Sequence, residues 1–179
     1  MGHIDEMLVT KAEIASLRSP ALYTKSEVIT DDSDAVRTLT VNEAGTVFLI
    51  DDAALTITLP DVNADLVGAK YKFLLTDKEA TALVIQSQGN THFFNGYAVC
   101  LVSGAAPEHF VPDGDSNSKV TLNGGTTGGN LTGEAGNTIP HNYIECTCIG
   151  GGAGAAWFVE VYSSAAVGET QATPFADQS

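Results

Sequence analysis

Leu55-Thr56-Ile57-Thr58-Leu59-Pro60 decides how the chain reads. Its apolar residues fall on alternate positions and threonines fill the gaps. That is period two, the spacing of a strand with one face buried and the other turned outward. Pro60-Asp61 closes the run, because proline has no N–H to give to a ladder. The same period continues on both sides. Thr38-Leu39-Thr40-Val41 alternates before the turn Asn42-Glu43-Ala44-Gly45, and Thr46-Val47-Phe48-Leu49-Ile50 is β-branched and aromatic up to Asp51-Asp52. Downstream, Tyr71, Phe73 and Leu75 share a face opposite Lys70 and Lys72. Leu83-Val84-Ile85, the stretches around Gly96, Lys119 to Leu122, Tyr143 to Ile149 and Trp157 to Tyr162 complete the set. Nine or ten short strands without helical crossovers predict an all-β fold. The expected form is an antiparallel β-sandwich or jelly-roll-like domain over residues 37–163.

Residues 1–36 read differently, as a short, partly helical N-terminal arm that docks on a partner. Thr10-Lys11-Ala12-Glu13 and Thr24-Lys25-Ser26-Glu27 both fit a capping box, in which Thr caps the first turn and Glu reaches back to it. The first predicts a helix that stops near Ser19-Pro20, and the second runs into the loop-forming Thr30-Asp31-Asp32-Ser33-Asp34. Ile4, Leu8, Ile14, Leu17 and Tyr23 are the arm's candidate contacts to a partner. Residues 164–179 form a small, polar, loosely ordered C-terminal tail. Gly104 to Ser118 and Asn123 to Asn137 are the long loops. The first holds the exposed binding candidates His109, Phe110, Asp113 and Asp115.

Net charge is −14, from 22 Asp and Glu against 8 Lys and Arg. Such a surface has no basic stripe to neutralise phosphates, so no nucleic-acid partner is expected, and an anionic membrane surface would repel it. No basic and apolar leader opens the chain, and no apolar run approaches the ~20 residues of a spanning helix. Synthesis in a cytoplasm follows. Hydrophobic residues make up 44%, enough for a core without staples.

The residue types that carry chemistry do not assemble into a recognisable motif. Asp113, Asp115 and Asn117 have the 1-3-5 spacing of a calcium loop, but Ser118 and Gly124 stand where that loop needs glycine and glutamate. A polar turn is the better reading. Cys100, Cys146 and Cys148 with His141 lack zinc-knuckle spacing and read as buried thiols. Gly124 to Gly129 lacks the Lys-Ser/Thr of a phosphate loop, and no G-x-S-x-G elbow accompanies the histidines. The expectation is a non-enzymatic chain with no cofactor and no metal.

Three phrases together resemble a β-module of tailed-bacteriophage surface proteins. They are Leu55-Thr56-Ile57-Thr58-Leu59-Pro60, Gly68-Ala69-Lys70-Tyr71-Lys72-Phe73-Leu74, and Gly152 to Ala156 before Trp157-Phe158-Val159, with the patterns G-x-x-Y-x-F and G-x-x-W-x-V in the last two. The unit opens at Leu39-Thr40-Val41-Asn42-Glu43-Ala44-Gly45, and the resemblance covers residues 38–163. It is similar to capsid decoration (cement) proteins and to some head- or tail-fibre modules. The glycine-rich stretch near residues 104–137 departs from the compact pattern. The resemblance implies a homotrimer on the capsid exterior that bridges copies of the major capsid protein through its arms. A fibre or spike module that binds a receptor or glycan is the alternative it leaves open, with Tyr97, His109 and Phe110 as loop contacts.

Overall fold

The structure, a computed structural model, describes residues 25–30, 36–51, 55–75, 82–102, 105–123, 142–150, 154–165 and 173–178. These residues form twelve strands and two 3-10 turns, and no α-helix occurs among them. The strands are β1 (Lys25–Thr30), β2 (Val36–Thr38), β3 (Thr46–Asp51), β4 (Leu55–Thr58), β5 (Lys70–Leu75) and β6 (Ala82–Gln86). Then follow β7 (His92–Val102), β8 (Glu108–Phe110), β9 (Lys119–Asn123), β10 (Tyr143–Cys148), β11 (Gly154–Ala165) and β12 (Phe175–Ala176). One sheet has seven strands in the order β1-β3-β5-β10-β11-β7-β8, and the other has five in the order β12-β9-β6-β4-β2.

The all-β reading holds, but the expected antiparallel pairing does not. Both sheets are mixed. β1–β3, β3–β5, β2–β4, β4–β6 and β7–β11 pair in parallel. The reason lies in the order of elements. From β1 to β7 the chain alternates between the sheets, strand by strand. Parallel neighbours need a crossover of about a dozen residues or more, usually a helix. For the first four pairs the intervening strand of the other sheet serves as the crossover, whereas β7 and β11 are joined through β8, β9 and β10. The absence of helices excluded an α/β fold, but it did not exclude parallel pairs.

Both sheets feed one core. Phe48, Phe73, Ile144 and Trp157 of the larger sheet belong to the same buried cluster as Ile57, Ile85 and Val120 of the smaller. The alternation in β5 is complete: Tyr71, Phe73 and Leu75 are buried and Lys70, Lys72 and Leu74 lie on the outer side. Phe48 stacks on Phe73 with centroids 5.3 Å apart, and Tyr71 meets Trp157 edge-on at 5.9 Å. The Trp157 indole N–H is buried without a hydrogen-bond partner, so packing alone holds this side chain.

Three segments read otherwise from sequence are strands. Lys25–Thr30 pairs with β3 and is not a helix start. Val28, Ile29 and Thr30 are β-branched, and Glu27 spends its carboxylate on Arg37 at 2.7 Å rather than on a cap. Glu108–Phe110 pairs with β7 inside the first long loop. Phe175–Ala176 pairs with β9, and the Gln178 amide donates to the backbone oxygens of Ser87 and Ser118 at 2.8 and 3.1 Å. The described part of the tail is therefore tied down. Residues on both sides of the expected boundaries at 37 and 163 enter the sheets. Conversely, the alternating Thr38–Val41 is only partly strand: β2 ends at Thr38 and Val41–Glu43 is a 3-10 turn. Glu43 accepts from the Thr40 backbone N–H at 2.6 Å and from its hydroxyl at 2.7 Å.

Arg37 joins the edges of the two sheets. It sits on β2, reaches Glu27 of β1, donates to Glu43 at 2.6 Å and lies over the Phe48 ring at 5.4 Å. Burial pushes the Glu43 carboxyl up, but the bonds from Thr40 and Arg37 outweigh it and hold the group below the ordinary glutamate value. A depressed value means stability that is present above the unfolded pKa and is lost as pH falls through the folded one. Glu43→Gln should therefore flatten the acid limb of a stability-versus-pH curve measured by urea unfolding. It should also lower stability near neutrality.

Gly96 carries a stricter constraint. It lies mid-strand in β7 at φ +127°, opposite Val159 of β11. A Cβ there would overlap the Val159 carbonyl oxygen and lie 2.8 Å from its nitrogen. Gly89 has φ +77° with nothing within 4 Å. Gly96→Ala should cost roughly 3 kcal/mol or more, as an overpacked and strained site. Gly89→Ala should cost only about 1–2 kcal/mol. Denaturant midpoints of the two variants check the difference.

Candidate functional site

The outer face of the seven-stranded sheet carries the most developed arrangement of polar and aromatic groups. Registers place its side chains in rows across the strands. One row runs Val28, Leu49, Leu74, Tyr143, Tyr162, Val99 and His109, one residue from each of the seven strands. The next runs Ser26, Val47, Lys72, Glu145, Glu160 and Tyr97. A third holds Lys70, Thr147, Phe158 and Asn95. Strand period two puts these residues outside because their neighbours in sequence fill the core.

The groups are already engaged with one another. Glu145 takes Lys70 at 2.9 Å on one oxygen and Lys72 at 3.8 Å on the other. Lys72 also lies 4.5 Å above the Tyr143 ring, and Tyr143 stacks on Tyr162 with centroids 4.8 Å apart. Tyr97 donates to Glu160 at 2.6 Å and makes edge contacts with Phe158 and Tyr162. The hydrogen bond to the Glu160 carboxylate, followed by that to Tyr162, holds the Tyr97 phenol well above the usual tyrosine range. Burial, with Tyr162 and the carboxylates nearby, pushes Tyr143 up to about 12. These phenols stay neutral at physiological pH. The face offers hydrogen bonds, ring surface and charge.

A second feature is a cleft of about 220 Å³. Asn90, Phe93, Asp115, Ser116, Asp177 and Gln178 are among its lining residues. It forms where the turn before β7, the turn before β9 and the chain after β12 meet.

The expected site residues are dispersed. Ile4, Leu8, Ile14, Leu17 and Tyr23 lie outside the described residues, as does His141. His109 is exposed on the outer side of β8, opposite Val99. Phe110 points the other way and packs half-buried against the core, so it is not an exposed loop contact. The cause is the β8 ladder, which alternates the two side chains. Tyr97 likewise stands on a strand rather than on a loop. Asp113 and Asp115 are exposed in a self-bonded turn. Asp113 Oδ1 accepts from Asp115 N at 3.1 Å, and Asn117 Oδ1 accepts from Asp113 N at 2.8 Å. Their 1-3-5 spacing thus serves turn geometry. Among the described residues, no three His, Cys, Asp or Glu side chains gather as a metal-binding group. Cys100, Cys146 and Cys148 are buried free thiols. Burial, then Glu145, raises the Cys146 thiol further from reactivity.

Lys70 and Lys72 are legible in the sequence as outward strand residues, but their joint face with Tyr97, Glu145 and Glu160 is not. The alternation in each strand was visible; which strands are neighbours was not. No protein-family model matches the chain, and no curated protein and no solved structure matches it significantly.

Glu160→Gln should lower the pH at which Tyr97 ionises, because it removes the charge acting on the phenol. A spectrophotometric titration of the full chain, with Tyr97→Phe to identify the transition, checks this.

Proposed function

We propose that this chain is a structural virion protein that decorates and cements the outer surface of a tailed-phage capsid. The observation that carries the reading is the meeting of two resemblance phrases in the fold. Tyr71 and Trp157 are the aromatic positions of the G-x-x-Y-x-F and G-x-x-W-x-V phrases, and their rings contact each other in the core. Their strands also supply Lys70, Lys72, Phe158 and Glu160 to the outer face. Short phrases far apart in sequence thus form one frame, as a shared module would require. In this reading the two sheets are the layers of a sandwich- or jelly-roll-type body. The arm residues Ile4, Leu8, Ile14, Leu17 and Tyr23 grip the major capsid protein. Several weak grips per assembly give strong attachment. The work is mechanical: bridging capsomers resists the outward pressure of packed, self-repelling DNA.

A second reading, a head- or tail-fibre module for a receptor or glycan, draws on the cleft. Phe93 beside Asp115, Asp177 and Asn90 combines a ring surface with hydrogen-bonding groups, the chemistry that sugars need.

Shells assembled with and without the chain should differ in heat resistance. Removal of residues 1–24 should abolish both binding and protection. Equal resistance of the two shells, together with glycan binding lost in Asp177→Ala, would transfer the assignment to the fibre reading.

A further inference from the structure

Three of the chain's five tyrosines stand together on the outer face of the larger sheet. Tyr71 is buried in the core, and Tyr23 lies outside the described residues. Tyr143 of β10 stacks on Tyr162 of β11. Tyr162 in turn meets Tyr97 of β7 edge-on, with centroids 6.2 Å apart and ring planes at 83°. The Tyr97 and Tyr162 hydroxyl oxygens are 3.4 Å apart. Tyr97 already donates its proton to Glu160 at 2.6 Å, so Tyr162 is the donor between the two hydroxyls. A relay therefore runs from Tyr162 through Tyr97 to a carboxylate. All three tyrosines are partly exposed. The indole of Trp157 and the thiols of Cys100, Cys146 and Cys148, which oxidise as easily, are at most 2% exposed. Among the described residues, this cluster is what a one-electron oxidant meets first.

We propose that the cluster is an oxidative crosslinking site, at which Tyr97 and Tyr162 join as dityrosine and staple β7 to β11. The co-reactant is hydrogen peroxide acting through a haem peroxidase. Each phenol gives up one electron and its O–H proton. The two radicals join through the ring carbons beside their hydroxyls, so that one C–C bond forms. The two ring C–H protons then pass to the oxygens and restore both phenols. Two electrons and two protons leave in all, and one peroxide takes them up as two molecules of water.

Three observations select this pair. In the product the two hydroxyls flank the new bond side by side, and here they already lie side by side. A phenol that loses an electron becomes a strong acid, and the Glu160 carboxylate is in place to take the Tyr97 proton as the electron leaves. Tyr143 lies face to face with Tyr162 at 26° between planes, which suits passing an electron but keeps the ring edges apart. Both coupling rings stand outside the sheet, where a swing about their side-chain torsions closes the remaining gap. The link joins residues 65 positions apart across the longest strand pair. It constrains the unfolded chain as a disulfide does, without needing a cysteine at the surface. The inference does not rest on the virion reading, and a shell assay does not bear on it.

Oxidation of the full chain with a haem peroxidase and an equimolar amount of hydrogen peroxide tests it. Dityrosine fluorescence should appear in the single-chain fraction, with a mass lower by two hydrogens. Peptide mapping should place the link between residues 97 and 162, and the linked chain should melt at a higher temperature. Tyr97→Phe and Tyr162→Phe keep their rings and should each abolish the link, whereas Tyr143→Phe should retain it. Glu160→Gln should slow its formation several-fold at neutral pH, and added imidazole, a substitute proton acceptor, should restore part of the rate. The chain unfolded in urea should lose the link between residues 97 and 162. Phenols left intact after the peroxide is consumed would overturn the proposal. So would a link that maps to other residues or between chains, or a rate indifferent to Glu160→Gln.

Discussion

The approach of Gly96 to Val159 is the constraint on which the larger sheet depends. At this point the backbones of β7 and β11 leave no room for a Cβ, and the positive φ of Gly96 suits glycine alone among the common residues. β7 and β11 are the longest strands and pair in parallel from His92–Gly154 to Val102–Ala165, with a bulge between Ala155 and Trp157. Everything beyond β11 on that side, including β8 with His109 and Phe110, reaches the core through this pair. The contact also sets the register that brings Tyr97 beside Glu160. A side chain at 96 would disturb packing and surface together.

The second organising feature is the alternation of strands between the sheets. It explains how four of the ten strand pairings can be parallel without helices, and why one core serves both sheets. It also leaves two edges, β1 and β2, on the same side of the chain's first crossover, where Arg37 spans them through Glu27 and Glu43. Partly exposed ion pairs are individually weak. This one gains from being a cluster of two carboxylates, a ring face and a capped turn around a single guanidinium. Its contribution is to hold two edges together rather than to add bulk stability.

Among the described residues, ionisable side chains are engaged in structure. The thiols are buried and raised, the phenols Tyr97 and Tyr143 are raised, and Asp113 spends its carboxylate on turn geometry. What the larger sheet presents is a face of rings and mutually compensated charges.

Period-two alternation by itself determined most of the strands and their inner residues. Leu55, Ile57, Tyr71, Phe73, Ile144 and Val159 are buried as their spacing required, because a pleated strand has only two faces and the apolar one must leave water. The same local logic marked the cysteines as core and the Asp113–Asn117 stretch as a turn. It failed where local preference competes with distant partners. Thr24 to Glu27 has the letters of a helix cap, yet Lys25–Thr30 gains a full ladder from β3 and an ion pair from Arg37. Strand order, parallel pairing and the outer-face rows were decided only in the tertiary structure. Alternation says which side chains share a face of one strand, but not which strand lies beside it. That choice rests on contacts between residues such as Lys70 and Glu145, 75 positions apart, and no local pattern encodes them.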